Sequence, residues 1–170
     1  ETCEKISALL HTSNETLILS GEGILGLEAA IASMTEPGDK VLVLDNGIYG
    51  KGFADFVSMY GGKPELYTRD YRNTLDVKEL EDFLADNHDY KYATVVHGDT
   101  PSGMLNDVAA ICPVLKKYGI LTVVDSVSAS FGEPLNIDAC HIDIMCGGSQ
   151  KVVSAPPGLT FVVVSSDAKK

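Results

Sequence analysis

The sequence predicts an α/β domain: three layers, helix–sheet–helix, around a mostly parallel sheet of about seven strands with the last strand antiparallel. Three observations predict it. Short apolar runs alternate with stretches of helical periodicity along the whole chain, the pattern of successive βα units. The runs are apolar on both faces, as strands covered by helices on both sides must be. Pro37-Gly38-Asp39, Gly61-Gly62 and Gly119 then punctuate the helix ends, where glycine supplies backbone conformations that other residues resist.

The elements follow in order. Glu4, Ile6, Leu9 and Leu10 give an opening helix with one apolar stripe beside a charged face. Strands are expected at Thr16 to Ser20, Lys40 to Leu44, Lys63 to Tyr67, Tyr92 to His97, Leu121 to Asp125, Ile142 to Cys146 and Leu159 to Val164. Helices fill the gaps, at about Gly23 to Met34, Tyr49 to Tyr60, Val77 to Asp86 and Val108 to Tyr118. Asp76 caps the third of these, followed by the acidic first turn a helix prefers. Asn106 or Asp107 caps the next. The strand ending at Cys146 breaks at Gly147-Gly148 and delivers Lys151 at its end. The final strand follows too soon for a crossover helix, so it pairs antiparallel. Asp167 to Lys170 reads as the start of another helix. No repeat or linker appears, and both ends look like cuts, so residues 1–170 are expected to be one domain of a longer polypeptide.

Composition excludes several classes. The net charge of -11 argues against a nucleic-acid partner, since phosphate backbones need clustered Lys and Arg. No apolar run approaches the roughly 20 residues that span a bilayer, so no membrane partner is expected. Glu1-Thr2-Cys3-Glu4 lacks the apolar region of a secretory signal. Cys3, Cys112, Cys140 and Cys146 show no C-x-x-C spacing. They read as reduced thiols of a cytoplasmic protein, with neither a disulfide frame nor a metal site.

In a doubly wound sheet, ligands sit at the carboxyl ends of the strands. There the sequence places Gly21-Glu22-Gly23, Asn46 to Gly50, His97 to Thr100, Asp125-Ser126-Val127 and Gln150-Lys151. A lysine held in an apolar cleft loses its preference for the ammonium form and can act as an amine nucleophile. Small residues and Ala155-Pro156-Pro157-Gly158 surround Lys151, which suggests such a cleft; a surface lysine in a Gly/Ser turn is the plainer alternative. Asp125 fits a site carboxylate or an ordinary helix cap. Tyr49 fits an aromatic platform or a core tyrosine in a first helical turn. Thr100 lies in a turn-rich stretch, and His97 more simply ends a strand.

Six stretches together resemble the class V aminotransferase branch of the fold-type I pyridoxal phosphate enzymes: Ser20 to Ala30, Asn46 to Gly50, His97 to Gly103, Asp125 to Ser128, Gly148 to Lys151 and Ala155 to Gly158. They occur in order and nearly end to end. The resemblance implies the large domain of such an enzyme and pyridoxal 5′-phosphate as cofactor. It implies that Lys151 forms the imine with the cofactor aldehyde and then carries the proton between Cα and C4′. Asp125 would pair with the pyridinium nitrogen, keeping the ring an electron sink. Tyr49 would stack on one ring face and Val127 pack on the other, with Thr100 near the phenolic oxygen. Gln150 and the helix start Glu22-Gly23-Ile24 would complete the cofactor site, the latter through free N–H groups and the helix dipole.

Glu22 departs from the family, where a small hydroxyl residue is usual. Four readings stand: the side chain is a solvated carboxylate favoured by the dipole, it turns away and leaves backbone contacts, it pairs with an outside cation, or the ligand lacks a phosphate. The last occurs in a branch of the family similar to this chain around Glu22, Tyr49 to Phe53 and Asp99 to Gly103, which transaminates free pyridoxamine with pyruvate. The family's substrate-carboxylate arginine has no match, because Arg69 and Arg72 read as a surface loop; it would come from a C-terminal small domain. The resemblance therefore implies transamination between a small amino acid, alanine- or serine-like, and a 2-oxo acid such as glyoxylate or pyruvate, by a homodimer. The alternatives are pyridoxamine–pyruvate exchange and a non-catalytic folding or association module.

Overall fold

The computed structural model describes residues 1–170. In chain order the elements are α1 Thr2–Leu9, β1 Glu15–Ser20, α2 Gly23–Met34, β2 Lys40–Asp45, α3 Ile48–Met59, β3 Lys63–Thr68, α4 Val77–Asp86 and β4 Tyr92–Val96. There follow β5 Gly98–Asp99, β6 Met104–Leu105, α5 Val108–Lys117, β7 Leu121–Asp125, β8 Ile144–Gly148 and β9 Leu159–Val164. Seven strands form one sheet in the order β1-β9-β8-β7-β4-β2-β3, and β5 and β6 make a separate hairpin. β9 lies antiparallel to both neighbours, β1 and β8, while the other pairings are parallel. Every main-sheet strand except β9 therefore ends at the same edge.

Alternate residues of each strand feed two separate cores. Leu42, Leu44, Ala93, Val95, Val124 and Met145 pack with Leu80 and Leu84 of α4 and Ile111 and Leu115 of α5. Val41, Val43, Tyr92, Val123 and Ile144 face the other way, against Leu27 and Ile31 of α2 and Phe53 and Val57 of α3. The layers are thus helix, sheet, helix, as expected of two-sided burial. The helix signals hold as well. Asp76 accepts from Glu79 N–H at 2.9 Å and Asp107, the one of the two candidates that caps α5, from Ala110 N–H at 3.1 Å. Gly61 and Gly119 follow α3 and α5 with φ of +85° and +76°, where a side chain would be strained. No helix is long and apolar enough to cross a membrane.

Three expectations need correction. Leu9 is 65% exposed, so the stripe of α1 buries only Leu10 fully and Ile6 in part. Asp167 to Lys169 form a turn, braced by Asp167 pairing with Lys116 and Lys170 at 2.8 Å each. The strand before Lys151 does not break at its glycines: Gly147 and Gly148 continue β8, paired with Phe161 and Thr160 of β9. The reason lies across the sheet. A Cβ on Gly147 would come 2.1 Å from Phe161 Cζ, so glycine here makes room for an aromatic ring rather than ending a strand. Gly147→Ala is accordingly expected to lower stability by about 1–3 kcal/mol through overpacking, read as a fall in the urea midpoint. An unchanged midpoint would show that the ring can move aside without cost.

Candidate active site

The site grows from the central strand. β7 ends at Asp125, half-buried, whose carboxylate accepts the Val127 N–H at 2.9 Å. Burial pushes this carboxyl up to about 6; the Val127 N–H and the Lys151 ammonium act the other way, and the charge of Asp99 adds to the rise.

Val127 joins β7 to α2. A Cβ on the buried Gly23 would meet Val127 Cγ2 at 2.7 Å, so only glycine lets the helix start this close to the strand end. Glu22 is the N-cap and is exposed, but its side chain makes no capping bond. The Leu25 N–H bonds back to the Glu22 carbonyl at 2.8 Å. Ile24 is 57% exposed, so its side chain turns to solvent.

α3 supplies the ring. Tyr49, in its first turn, is 51% exposed, which rules out the core-tyrosine reading and leaves an uncovered aromatic face beside β2. Gly50 permits this, since a Cβ there would stand 2.6 Å from the Leu44 carbonyl oxygen. Thr100 follows β5 and shares a 2.7 Å hydrogen bond with Ser128 Oγ, so it is no free turn residue. Gln150 folds back over Gly148, where a Cβ would meet its Oε1 at 2.9 Å, and that oxygen is buried without a partner. A cleft of about 550 Å³ holds Asp99, Thr100, Ser128 and Lys151. A larger apolar groove of about 1250 Å³ beneath α1 shares Glu133 with this cleft and holds none of the candidate residues.

One expectation fails here. Lys151 does not sit in an apolar cleft; it lies on an exposed turn three residues beyond β8. The small residues around it make the turn and leave its amine accessible. His97 sits just beyond β4, 4% exposed, its Nδ1 3.0 Å from Ser126 Oγ, and burial lowers its proton affinity. It is a structural residue, in line with the plainer reading. Arg69 lies 3.7 Å over the Tyr67 ring and pairs with Glu79, and Arg72 pairs with Asp70, so both arginines are committed elsewhere.

Sequence reasoning gave no role to Asn46 or Asp99 at this edge and missed Asp45 and Asn106. Asp45, 2% exposed, accepts from Tyr71 OH at 2.6 Å and Thr68 Oγ1 at 2.9 Å, and that bond pushes the Tyr71 phenol up to about 12. Asn46 and Asn106 exchange amide hydrogen bonds of 2.8 and 3.1 Å. Asp99, 3% exposed, presses against Gly47. A polar residue directly after an apolar strand was the available signal for Asn46; nothing local marked its distant partner.

All 170 residues match the family model for class-V aminotransferases. The chain belongs to the class-V aminotransferase family. Among curated class-V relatives, it is 38% identical over 167 residues to a pyridoxamine–pyruvate transaminase of Mesorhizobium japonicum, covering 97% of this chain and 42% of that protein. It is 38% identical over 170 residues to an alanine–glyoxylate aminotransferase of Callithrix jacchus, covering 99% and 41%. Solved structures agree. Pyridoxamine–pyruvate aminotransferase from Mesorhizobium loti superposes with a TM-score of 0.92 at 36% identity, over 98% of this chain and 42% of that one. Ureidoglycine–glyoxylate aminotransferase from Bacillus subtilis gives 0.93 at 26% identity, over 99% and 43%. The chain thus spans less than half the length of the class-V relatives it matches, and its mostly parallel sheet with an antiparallel β9 is that of their large domain.

Proposed function

We propose that this chain is the cofactor-binding large domain of a pyridoxal 5′-phosphate-dependent aminotransferase. It moves an amino group between a small amino acid, alanine- or serine-like, and a 2-oxo acid such as glyoxylate or pyruvate. The observation that carries this is the sheet topology: β7 and β8 run parallel and end together, Asp125 closing the first and the exposed Lys151 standing three residues beyond the second. The residues present fit the cofactor. α2 starts with no side-chain cap, Gly23 leaves no bulk at that start, and Tyr49 stands half uncovered.

Bound there, pyridoxal phosphate supplies an aldehyde electrophile and a pyridine ring that accepts the electron pair left when a substrate Cα loses its proton. The chain does the rest. Asp125, steadied by the Val127 N–H, holds a proton at the ring nitrogen. Tyr49 keeps water from one ring face and Val127 from the other. Thr100, oriented by Ser128, offers its hydroxyl to the phenolic oxygen. The α2 amides, and Gln150 through its amide N–H₂, would hold the phosphate. Lys151 would hold the aldehyde end and would carry the proton at the substrate Cα. Exposed Ile48 (63%) and Val152 (45%) beside the site support a homodimer, and the committed arginines assign the substrate-carboxylate anchor to a small domain. Four unpaired cysteines suit a reducing compartment such as the cytoplasm. Titrating the chain with pyridoxal phosphate and following the cofactor's visible band tests the reading. No saturable change would leave a non-catalytic association module.

Glu22 favours one second reading, pyridoxamine–pyruvate transamination with unphosphorylated vitamers as substrates. A carboxylate about 4 Å from a singly charged phosphate costs roughly 4 kcal/mol at an effective dielectric of 20, and Glu22 is the uncapped first residue at that position. Solvent screens an exposed side chain. Glu22→Ser is therefore expected to tighten pyridoxal phosphate binding by about tenfold, roughly 1.4 kcal/mol, and to leave pyridoxal binding unchanged. Wild-type preference for pyridoxal, reversed by the substitution, selects the second reading. Preference for the phosphate ester before and after it selects the first.

A further inference from the structure

Asp99 has no role in the scheme above, yet it is the most enclosed charged group of the cleft. It is 3% exposed. One carboxylate oxygen, Oδ2, accepts from Ser102 N–H at 3.1 Å and Ser102 Oγ at 2.6 Å. The other, Oδ1, is buried with no hydrogen-bond partner. A buried acceptor left unpaired costs free energy, so its position is set by something other than its own satisfaction. That something is α3. The carboxyl group fills the space a side chain would take at Gly47, where a Cβ would stand 2.7 Å from both Cγ and Oδ1. Gly47 is the N-cap of α3, in extended backbone with φ -177°, and has no side chain with which to cap the helix. The helix start carries partial positive charge that an anion favours. The same carboxylate belongs to β5, whose next residue is Thr100. Asp99 therefore joins the two segments that present Tyr49 and Thr100 to the cleft.

We propose that Asp99 is a positioning residue: its carboxylate, packed against the side-chain-free Gly47 at the start of α3, holds Tyr49 and Thr100 in one rigid unit around the cofactor site. The proposal rests on the cofactor reading above for its ligand, and on the Asp99–Gly47 contact alone for its mechanics. Asp99 touches no reacting atom in this scheme and acts only through its neighbours.

The test uses Asp99→Asn, which keeps the shape and removes the charge, Asp99→Ala, and Ser102→Ala as a control for loss of the turn bond alone. In the ligand-free chain, amide hydrogen exchange of Ile48 to Lys51 is expected to speed up in Asp99→Ala and, less, in Asp99→Asn, but not in Ser102→Ala. With pyridoxal phosphate, Asp99→Ala is expected to weaken binding about ten- to hundredfold, the scale of a small misplacement of site groups, and to change the circular dichroism of the bound ring. Gly47→Ala is expected to do the same in the wild-type background and to add little once Asp99 is Ala, since the space is then free. Exchange at α3 that is unchanged in Asp99→Ala, or losses from Gly47→Ala that simply add to it, would overturn the proposal. A wild-type chain that fails to bind the cofactor overturns the cofactor reading instead, and the exchange measurement still decides the role of Asp99.

Discussion

Lys151→Ala is expected to end covalent capture of pyridoxal phosphate while leaving the fold intact. The side chain stands exposed on the turn after β8, and surface substitutions of this kind shift stability by no more than about 0.5 kcal/mol. The melting curve should therefore overlay that of the wild type. Function should not survive. The amine lines the cleft with Asp99, Thr100 and Ser128, and as proton carrier it is worth roughly 10²- to 10⁴-fold in rate. Borohydride treatment of the wild type with cofactor should fix the label on the peptide containing Lys151, and the variant should carry none. Lys151→Arg should fail equally, because the guanidinium stays protonated and is no nucleophile. Label recovered on Lys91, Lys116 or another lysine would remove Lys151 from the site.

What was legible in the sequence was whatever one segment could specify by itself. Apolar runs gave every main-sheet strand, and Asp76 and Asp107 announced helix starts through local chemistry. The short link after Lys151 foretold the antiparallel β9. Cross-strand facts were illegible. Gly147-Gly148 looks like a strand end in one dimension and is a strand interior in three, because Phe161 comes from β9 to occupy the missing side chain's place. Burial was legible only where periodicity reports it. Tyr49 fits core and platform equally on a helical wheel, and only its 51% exposure takes it out of the core. Small neighbours around Lys151 signalled a turn, not an enclosing cleft. Asp99 and Gly47 come from different βα units, so neither residue alone shows that one fits inside the vacancy of the other. The rim was readable as an inventory; its joints were not.

Asp125→Asn is expected to stabilise the ligand-free chain and to disable it, and the two effects have one cause. Burial raises the Asp125 carboxyl from 3.8 to about 6 in the folded state. The folded chain thus binds this proton more tightly than the unfolded chain. The stability this contributes is fully present below about pH 4 and is lost as pH rises through about 6. Above that, the ionised carboxylate is a standing cost of up to about 3 kcal/mol. Asparagine cannot ionise, yet its side-chain oxygen can still accept the Val127 N–H. Urea midpoints of wild type and variant should therefore agree near pH 4 and separate above pH 7, the variant being the more stable. Added cofactor should reverse the order, since a protonated ring nitrogen gives the wild-type carboxylate the cation it lacks and gives asparagine nothing comparable. The corresponding loss in turnover is at least about 10²-fold, the scale of removing one fixed group aimed at developing charge. Parallel pH profiles for the two ligand-free chains would mean that the carboxylate is solvated where it stands, and the strand end would then be a cap and not half of a cofactor site.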